Sequence, residues 1–176
     1  MTQPALYRLL RRACWLWLCA ACIATPAAAA SLVPWDGGPA PALVLRDLSG
    51  VRHDLSQYRG KVVLVNFWAT WCAPCRAEMP SMDRLRERHA RDAFVVLAVN
   101  VDEPEQRIRN FLGRIPLGFT VLPDPGMRVT RDWSARVLPA SFLIGRDGRI
   151  RYSVRGEVDW TSEPVLKLVR RLLQES

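Results

Sequence analysis

Cysteine and histidine are scarce in this chain: five cysteines and two histidines in 176 residues. Cys14, Cys19 and Cys22 fall within the first 30 residues, so the remainder carries only Cys72 and Cys75. No second pair exists there to staple the domain, although exported domains often rely on such staples. The one pair is separated by two residues, a spacing that closes a tight loop and constrains the unfolded chain little. A structural zinc site usually needs four ligands, and beyond residue 30 the chain offers only the two cysteines with His53 and His89. Attachment of a c-type haem needs His directly after the second cysteine, where this chain has Arg76. A Cys-His protease needs a strand-borne histidine, whereas His89 falls at a charged helix end and His53 in a hairpin. No glycine-rich dinucleotide loop follows a strand-like run, so no organic cofactor is implied. Repeats are absent, and the only low-complexity run is Ala27-Ala28-Ala29-Ala30.

What is present is globular. The length suits one domain, and 49% of the residues are hydrophobic with 24% charged. Residues 1–30 read as an export signal. Arg8, Arg11 and Arg12 precede an apolar stretch at residues 13–24, then Pro26 and an alanine run. Cleavage after Ala28-x-Ala30 is expected. The alternatives are retention as an anchor, which a span of about 20 apolar residues would need, and lipidation at Cys22. The expected location is the periplasm. Residues 31–41, with Pro34, Gly37, Gly38, Pro39 and Pro41, read as a linker, and 42–176 as the folded domain. The full chain carries +8. Without the three signal arginines, 22 basic residues against 17 acidic leave +5. The charges are scattered and the chain is read as exported, so nucleic acid is not an expected partner. Arg84, Arg88 and Arg91 share a helix face that reads as solvated.

Residues 42–46 and 51–54 flank Asp47-Leu48-Ser49-Gly50 and predict a hairpin. The continuous apolar run at 62–69 predicts a strand buried on both faces. A helix is expected over 73–88, with Pro80 kinking it, then a second buried strand at 94–100. Asp102 with Pro104 predicts the start of a helix through residue 111 or 112. A short strand at 119–122 and a short helix at 126–133 follow. Residues 140–145 and 149–155 flank Arg146-Asp147-Gly148, a hairpin signal. Thr161 is expected to cap a last helix over 163–173. Strands alternating with helices predict an α/β layered domain, and the terminal hairpin makes its sheet mixed.

The first buried strand runs through Trp68-Ala69-Thr70-Trp71 into Cys72-Ala73-Pro74-Cys75. A cysteine at a helix N-terminus meets free backbone N–H groups and the positive end of the helix dipole, which stabilise a thiolate. Thiolate is the attacking species in disulfide exchange. Cys72 is thus the expected nucleophile. Cys75, one turn on, is the expected resolving thiol, and Pro74 stiffens the first turn without removing a needed hydrogen bond.

The stretch from Tyr58 to Pro80, centred on Val65-Asn66-Phe67-Trp68-Ala69-Thr70-Trp71-Cys72-Ala73-Pro74-Cys75-Arg76-Ala77-Glu78, resembles the active-site block of the TlpA/ResA-like thioredoxin family. Leu138-Pro139-Ala140-Ser141-Phe142-Leu143-Ile144 resembles its second block, and the similarity extends over roughly residues 42–174. The resemblance implies a thioredoxin-like three-layer fold with an N-terminal hairpin and a strand–helix insert around residues 95–115. It implies an exported or membrane-tethered protein-disulfide oxidoreductase serving cytochrome c maturation or copper-site assembly. It makes Pro139 a cis-proline that helps hold a substrate strand, a claim the sequence alone would not carry, because only about 5–6% of X–Pro bonds are cis. Leu138 stands where the family often has Val or Thr. Asn66 stands where cytoplasmic-type thioredoxins carry a buried Asp.

Glu78, three residues after Cys75, is either a proton acceptor for that thiol or a surface carboxylate paired with an arginine. Trp71, Pro74 and Leu138 are the expected substrate contacts, with Trp71 an apolar shelf beside Cys72. Trp68, Phe67 and Phe142 are core candidates, while Trp133 and Trp160 fit core or rim. The expected reaction is reduction of disulfides in exported proteins by a monomer that a membrane electron carrier recharges. The rivals are a disulfide-forming oxidant and a Cu(I) carrier using both thiolates. A peroxidase would need a Pro and Thr arrangement before a single reactive cysteine, and Trp68-Ala69-Thr70-Trp71 does not supply it.

Overall fold

The computed structural model describes residues 31–91 and 93–175. The export signal read at 1–30 lies outside the described residues. In chain order the elements are β1 (Val33–Pro34), β2 (Val44–Arg46), β3 (Arg52–Asp54), β4 (Val62–Trp68), α1 (Ala73–Arg88), β5 (Phe94–Val101), α2 (Glu105–Leu112), β6 (Thr120–Asp124), α3 (Arg128–Asp132), β7 (Ala140–Ile144), β8 (Ile150–Arg155) and α4 (Glu163–Gln174). Six strands form one mixed sheet in the order β1-β8-β7-β4-β5-β6. The pairs β4–β5 and β5–β6 are parallel, and β4–β7, β7–β8 and β1–β8 antiparallel. The hairpin β2–β3 stands apart as its own small sheet.

β4 explains the layering. All seven of its residues are buried. Successive side chains point to opposite faces, so the strand feeds two cores. Val62, Leu64 and Trp68 pack on one face with Met79, Met82 and Leu85 of α1 and Val165, Leu166, Val169 and Leu172 of α4. Val63, Val65 and Phe67 pack on the other with Val129, Trp133, Phe142, Leu43 and Leu55. The sheet is therefore covered on both sides, which is why its central strands β4 and β5 read as near-continuous apolar runs, broken only by Asn66 and Asn100. Trp160 is fully buried and Trp133 nearly so, which places both in the core.

The structure departs from the sequence-based expectations at four places. Residues 31–41 are not a free linker throughout: β1 adds to the sheet edge, with Val33 opposite Ser153, and Trp35 packs edge-on against Phe142 at 5.6 Å. Asp102 does not cap α2. It adopts a left-handed backbone (φ 52°), and its Oδ1 accepts from the Gly126 N–H at 2.7 Å, tying the end of β5 to the turn after β6. α2 instead starts after Pro104 with no side-chain cap. Thr161 does not cap α4, because its hydroxyl and N–H both donate to Asp159 Oδ1. The helix predicted over 126–133 is split by left-handed Gly126 and Met127 into a 3₁₀ turn and α3. The helix expected over 73–88 is α1, which is continuous from Ala73 to Arg88 with Pro80 inside it.

Candidate active site

β4 ends at Trp68, and the chain turns through Ala69, Thr70 and Trp71 to Cys72, the N-cap of α1. Cys72 and Cys75 are joined by a disulfide. The Cys75 N–H donates to Cys72 Sγ at 3.3 Å, so a free donor of the first helical turn points at the first sulfur. Cys72 is 4% exposed and Cys75 1%. Pro74 lies in the first turn and is exposed. Trp71, 64% exposed, stands next to Cys72 and offers a large apolar surface to solvent at this end of the sheet.

β7 brings in the second block. Its first residue, Ala140, pairs with Phe67 near the end of β4, so Leu138 and Pro139 lie at the same end of the sheet as Cys72. The Leu138–Pro139 bond is cis. Leu138 packs partly against the cluster that contains both cysteines, and it lines a groove together with Trp71. Trp71, Pro74, Leu138 and Pro139 thus lie at the same end of the sheet as the pair.

Glu78 is not the surface carboxylate of the alternative reading. It is 2% exposed, and no arginine pairs with it among the described residues. It faces inward from α1 like Cys75 one turn earlier. Its Oε1 accepts from Asn66 Nδ2 at 2.7 Å. Its Oε2 accepts from the Val158 N–H at 3.1 Å and from Trp160 Nε1 at 3.3 Å. Burial pushes its pKa up to about 7, against the pull of those hydrogen bonds. Asn66, on the sheet face toward α1, also donates to Ser141 Oγ at 2.9 Å, while its own Oδ1 has no partner.

A second buried carboxylate was missed in the sequence. Glu103 Oε2 accepts from the Thr70 N–H at 2.6 Å and from Asn100 Nδ2 at 2.8 Å, and its Oε1 from the Thr70 hydroxyl at 2.6 Å. Arg76 Nη1 donates to the Thr70 carbonyl at 2.8 Å. The residue two before Cys72 is therefore held at its N–H, hydroxyl and carbonyl. Glu103 sits just before Pro104 and reads in sequence as an ordinary acidic residue at a helix start. Only the return of β5 alongside β4 brings it to Thr70.

Residues 37–153 match the AhpC/TSA family. The chain belongs to that family. Within it, the chain is 41% identical over 120 residues to the thiol-disulfide oxidoreductase ResA of Geobacillus kaustophilus (strain HTA426), covering 68% of this chain and 69% of the relative. It is 36% identical over 121 residues to ResA of Bacillus anthracis, covering 69% and 70%. Among solved structures it is similar to a thiol:disulfide interchange protein of the DsbE type from Chlorobium tepidum. That match has a TM-score of 0.73 and 33% identity, and covers 81% of this chain and 99% of the other. The AhpC/TSA member described here is a thioredoxin-like protein-disulfide oxidoreductase of the TlpA/ResA kind.

Proposed function

We propose that the protein is exported to the periplasm and reduces disulfides in exported proteins, with cytochrome c maturation or copper-site assembly as the process served. The observation that carries the direction of electron flow is the buried carboxylate of Glu78. Among the inward-facing residues of α1, Glu78 is the one ionisable group besides Cys75. A carboxylate behind the pair repels a thiolate, so it raises thiol pKa values and disfavours the dithiolate state. A strong oxidant needs the opposite, a stabilised reduced form.

In the forward reaction the Cys72 thiolate attacks one sulfur of the substrate disulfide. A Cys72–substrate bond forms, the substrate S–S bond breaks, and the departing substrate thiolate takes a proton. Cys75 then gives its proton to Glu78 and attacks the Cys72 sulfur. The Cys72–Cys75 bond forms, the mixed disulfide breaks, and the second substrate thiolate is protonated. Two electrons and two protons have passed to the substrate. A membrane dithiol carrier restores the pair and leaves as its own disulfide. Cis-Pro139 and Leu138 hold the substrate strand beside Cys72. The pair itself is the redox group, and the protein works as a monomer.

Equilibrating the pair against glutathione or dithiothreitol tests the direction. A potential near about −270 mV, like that of thioredoxin, supports a reductant. A value near about −120 mV makes the protein an oxidant and overturns the proposal.

A further inference from the structure

A groove of about 600 Å³ opens beside the cysteine pair. Trp71, Val101, Met127 and Leu138 form its apolar wall, and Arg131 and Arg136 its charged rim. Both arginines are exposed. Neither side chain makes a hydrogen bond or ion pair among the described residues, unlike Arg107, Arg109 and Arg128, which face Glu103, Glu105 and Asp132. No carboxylate lines the groove. Asp124, buried under α3, is spent on the N–H groups of Val129 and Thr130 and on the Thr130 hydroxyl. Two unpaired cations beside an apolar wall form an electrostatic half-site that lacks its complement.

We infer that this groove docks an extended acidic segment of the disulfide-bearing substrate, with Arg131 and Arg136 selecting Asp or Glu near the target cysteine. The inference rests on the thiol–disulfide reading above and names its substrate class. Trp71 adjoins Cys72 and Leu138 adjoins Pro139, so a segment leaving the pair enters the groove at once. An extended chain advances about 3.3–3.6 Å per residue, so the acidic side chains belong within a few residues of the cysteine. The apolar wall takes an apolar side chain of the same segment, and the arginines steer the encounter and fix which segment is accepted.

The test uses three peptides, each with one intramolecular disulfide, differing only in the residues two to four positions from the attacked cysteine: Asp, Ser or Lys. The full-length protein in its dithiol form is mixed with each at low ionic strength, and tryptophan fluorescence reports the second-order rate constant. Each value is divided by that peptide's rate with dithiothreitol, which removes its intrinsic reactivity. The Asp peptide reacts at least about tenfold faster than the Lys peptide, and the gap narrows as salt shortens the screening length. In the R131E/R136E variant the order inverts, and a gain for the Lys peptide is not something misfolding can produce. Equal rates for all three, or an Asp preference untouched by the reversal, overturns the inference. Failure to reduce even the Ser peptide would instead sink the redox reading. The groove is then still tested by titrating the oxidised protein with cysteine-to-serine versions of the peptides, whose Kd values must rank Asp below Ser below Lys. Phosphatidylglycerol vesicles binding through the same arginines in place of the peptides, or a second copy of the chain covering them, would also overturn it.

Discussion

Glu78 couples the chemistry of the pair to the stability of the domain. Its pKa stands near 7 in the folded protein, above the ordinary carboxylate value of 4.5. Between those two values the folded state holds a proton that the unfolded chain has already lost. Stability from this group is therefore full below about pH 4.5 and declines as pH rises through 7. The loss amounts to about 3 kcal/mol. Urea unfolding at pH 5 and pH 8 measures it, and Glu78→Gln flattens that dependence. Equal pH dependence in both proteins would mean that Glu78 does not titrate in this range. The same substitution lowers the pKa of the Cys75 thiol, because the nearby negative charge is gone, and it slows release of the mixed disulfide by removing the proton acceptor. Thiol alkylation across pH reads the first effect, and single-turnover reduction reads the second. Unchanged thiol titration would reduce Glu78 to a structural carboxylate.

At the scale of elements, the loop between β4 and α1 is positioned by an element that follows it in sequence. Glu103, two residues past the end of β5, takes three donors, two of them from Thr70. Glu103→Ala leaves those donors unpaired in a buried place, at a cost of about 2–3 kcal/mol. It also frees the backbone before Cys72. Hydrogen exchange at the Thr70 N–H rises, and reduction of a disulfide peptide slows, while Glu103→Gln restores part of both. No change in Thr70 exchange would show that the loop is held by Arg76 alone. This contact also shows where sequence reading stops. β4, α1, β5 and the terminal hairpin were legible because each carries a local signal: an apolar run, a helical spacing or an Asp-Gly turn. Cys72 and Cys75 were legible because their spacing and helix start are local too. What escaped depends on residues far apart in the chain. Asp102 reads as a helix cap until Gly126 claims it, and Thr161 until Asp159 does. Glu78 reads as a coin-toss between surface and site, because its partners Val158 and Trp160 lie about 80 residues away. The isomer of Pro139 was legible only through resemblance.

On the scale of the whole molecule, redox state and folding are linked through one cycle. The disulfide forms in the folded protein at one potential and in the unfolded chain at another, and the difference must appear as a difference in stability between oxidised and dithiol protein. A reductant holds its folded pair below the potential of the unfolded pair. Its oxidised form is then the more stable one, by about 1.4 kcal/mol for each 30 mV. The repulsion between Glu78 and a thiolate acts in this direction, since it burdens only the dithiol state. A folded pair about 60 mV more reducing than the unfolded chain makes the oxidised protein about 3 kcal/mol harder to unfold. Paired denaturant curves with and without dithiothreitol measure that gap. The mid-point must fall on reduction, and the fall must shrink in Glu78→Gln, because the charge that burdens the dithiol state has been removed. A rise on reduction would reverse the electron flow proposed for this protein, whatever its peptide preference. A fall of the same size in both proteins would place the source of the low potential elsewhere than in Glu78.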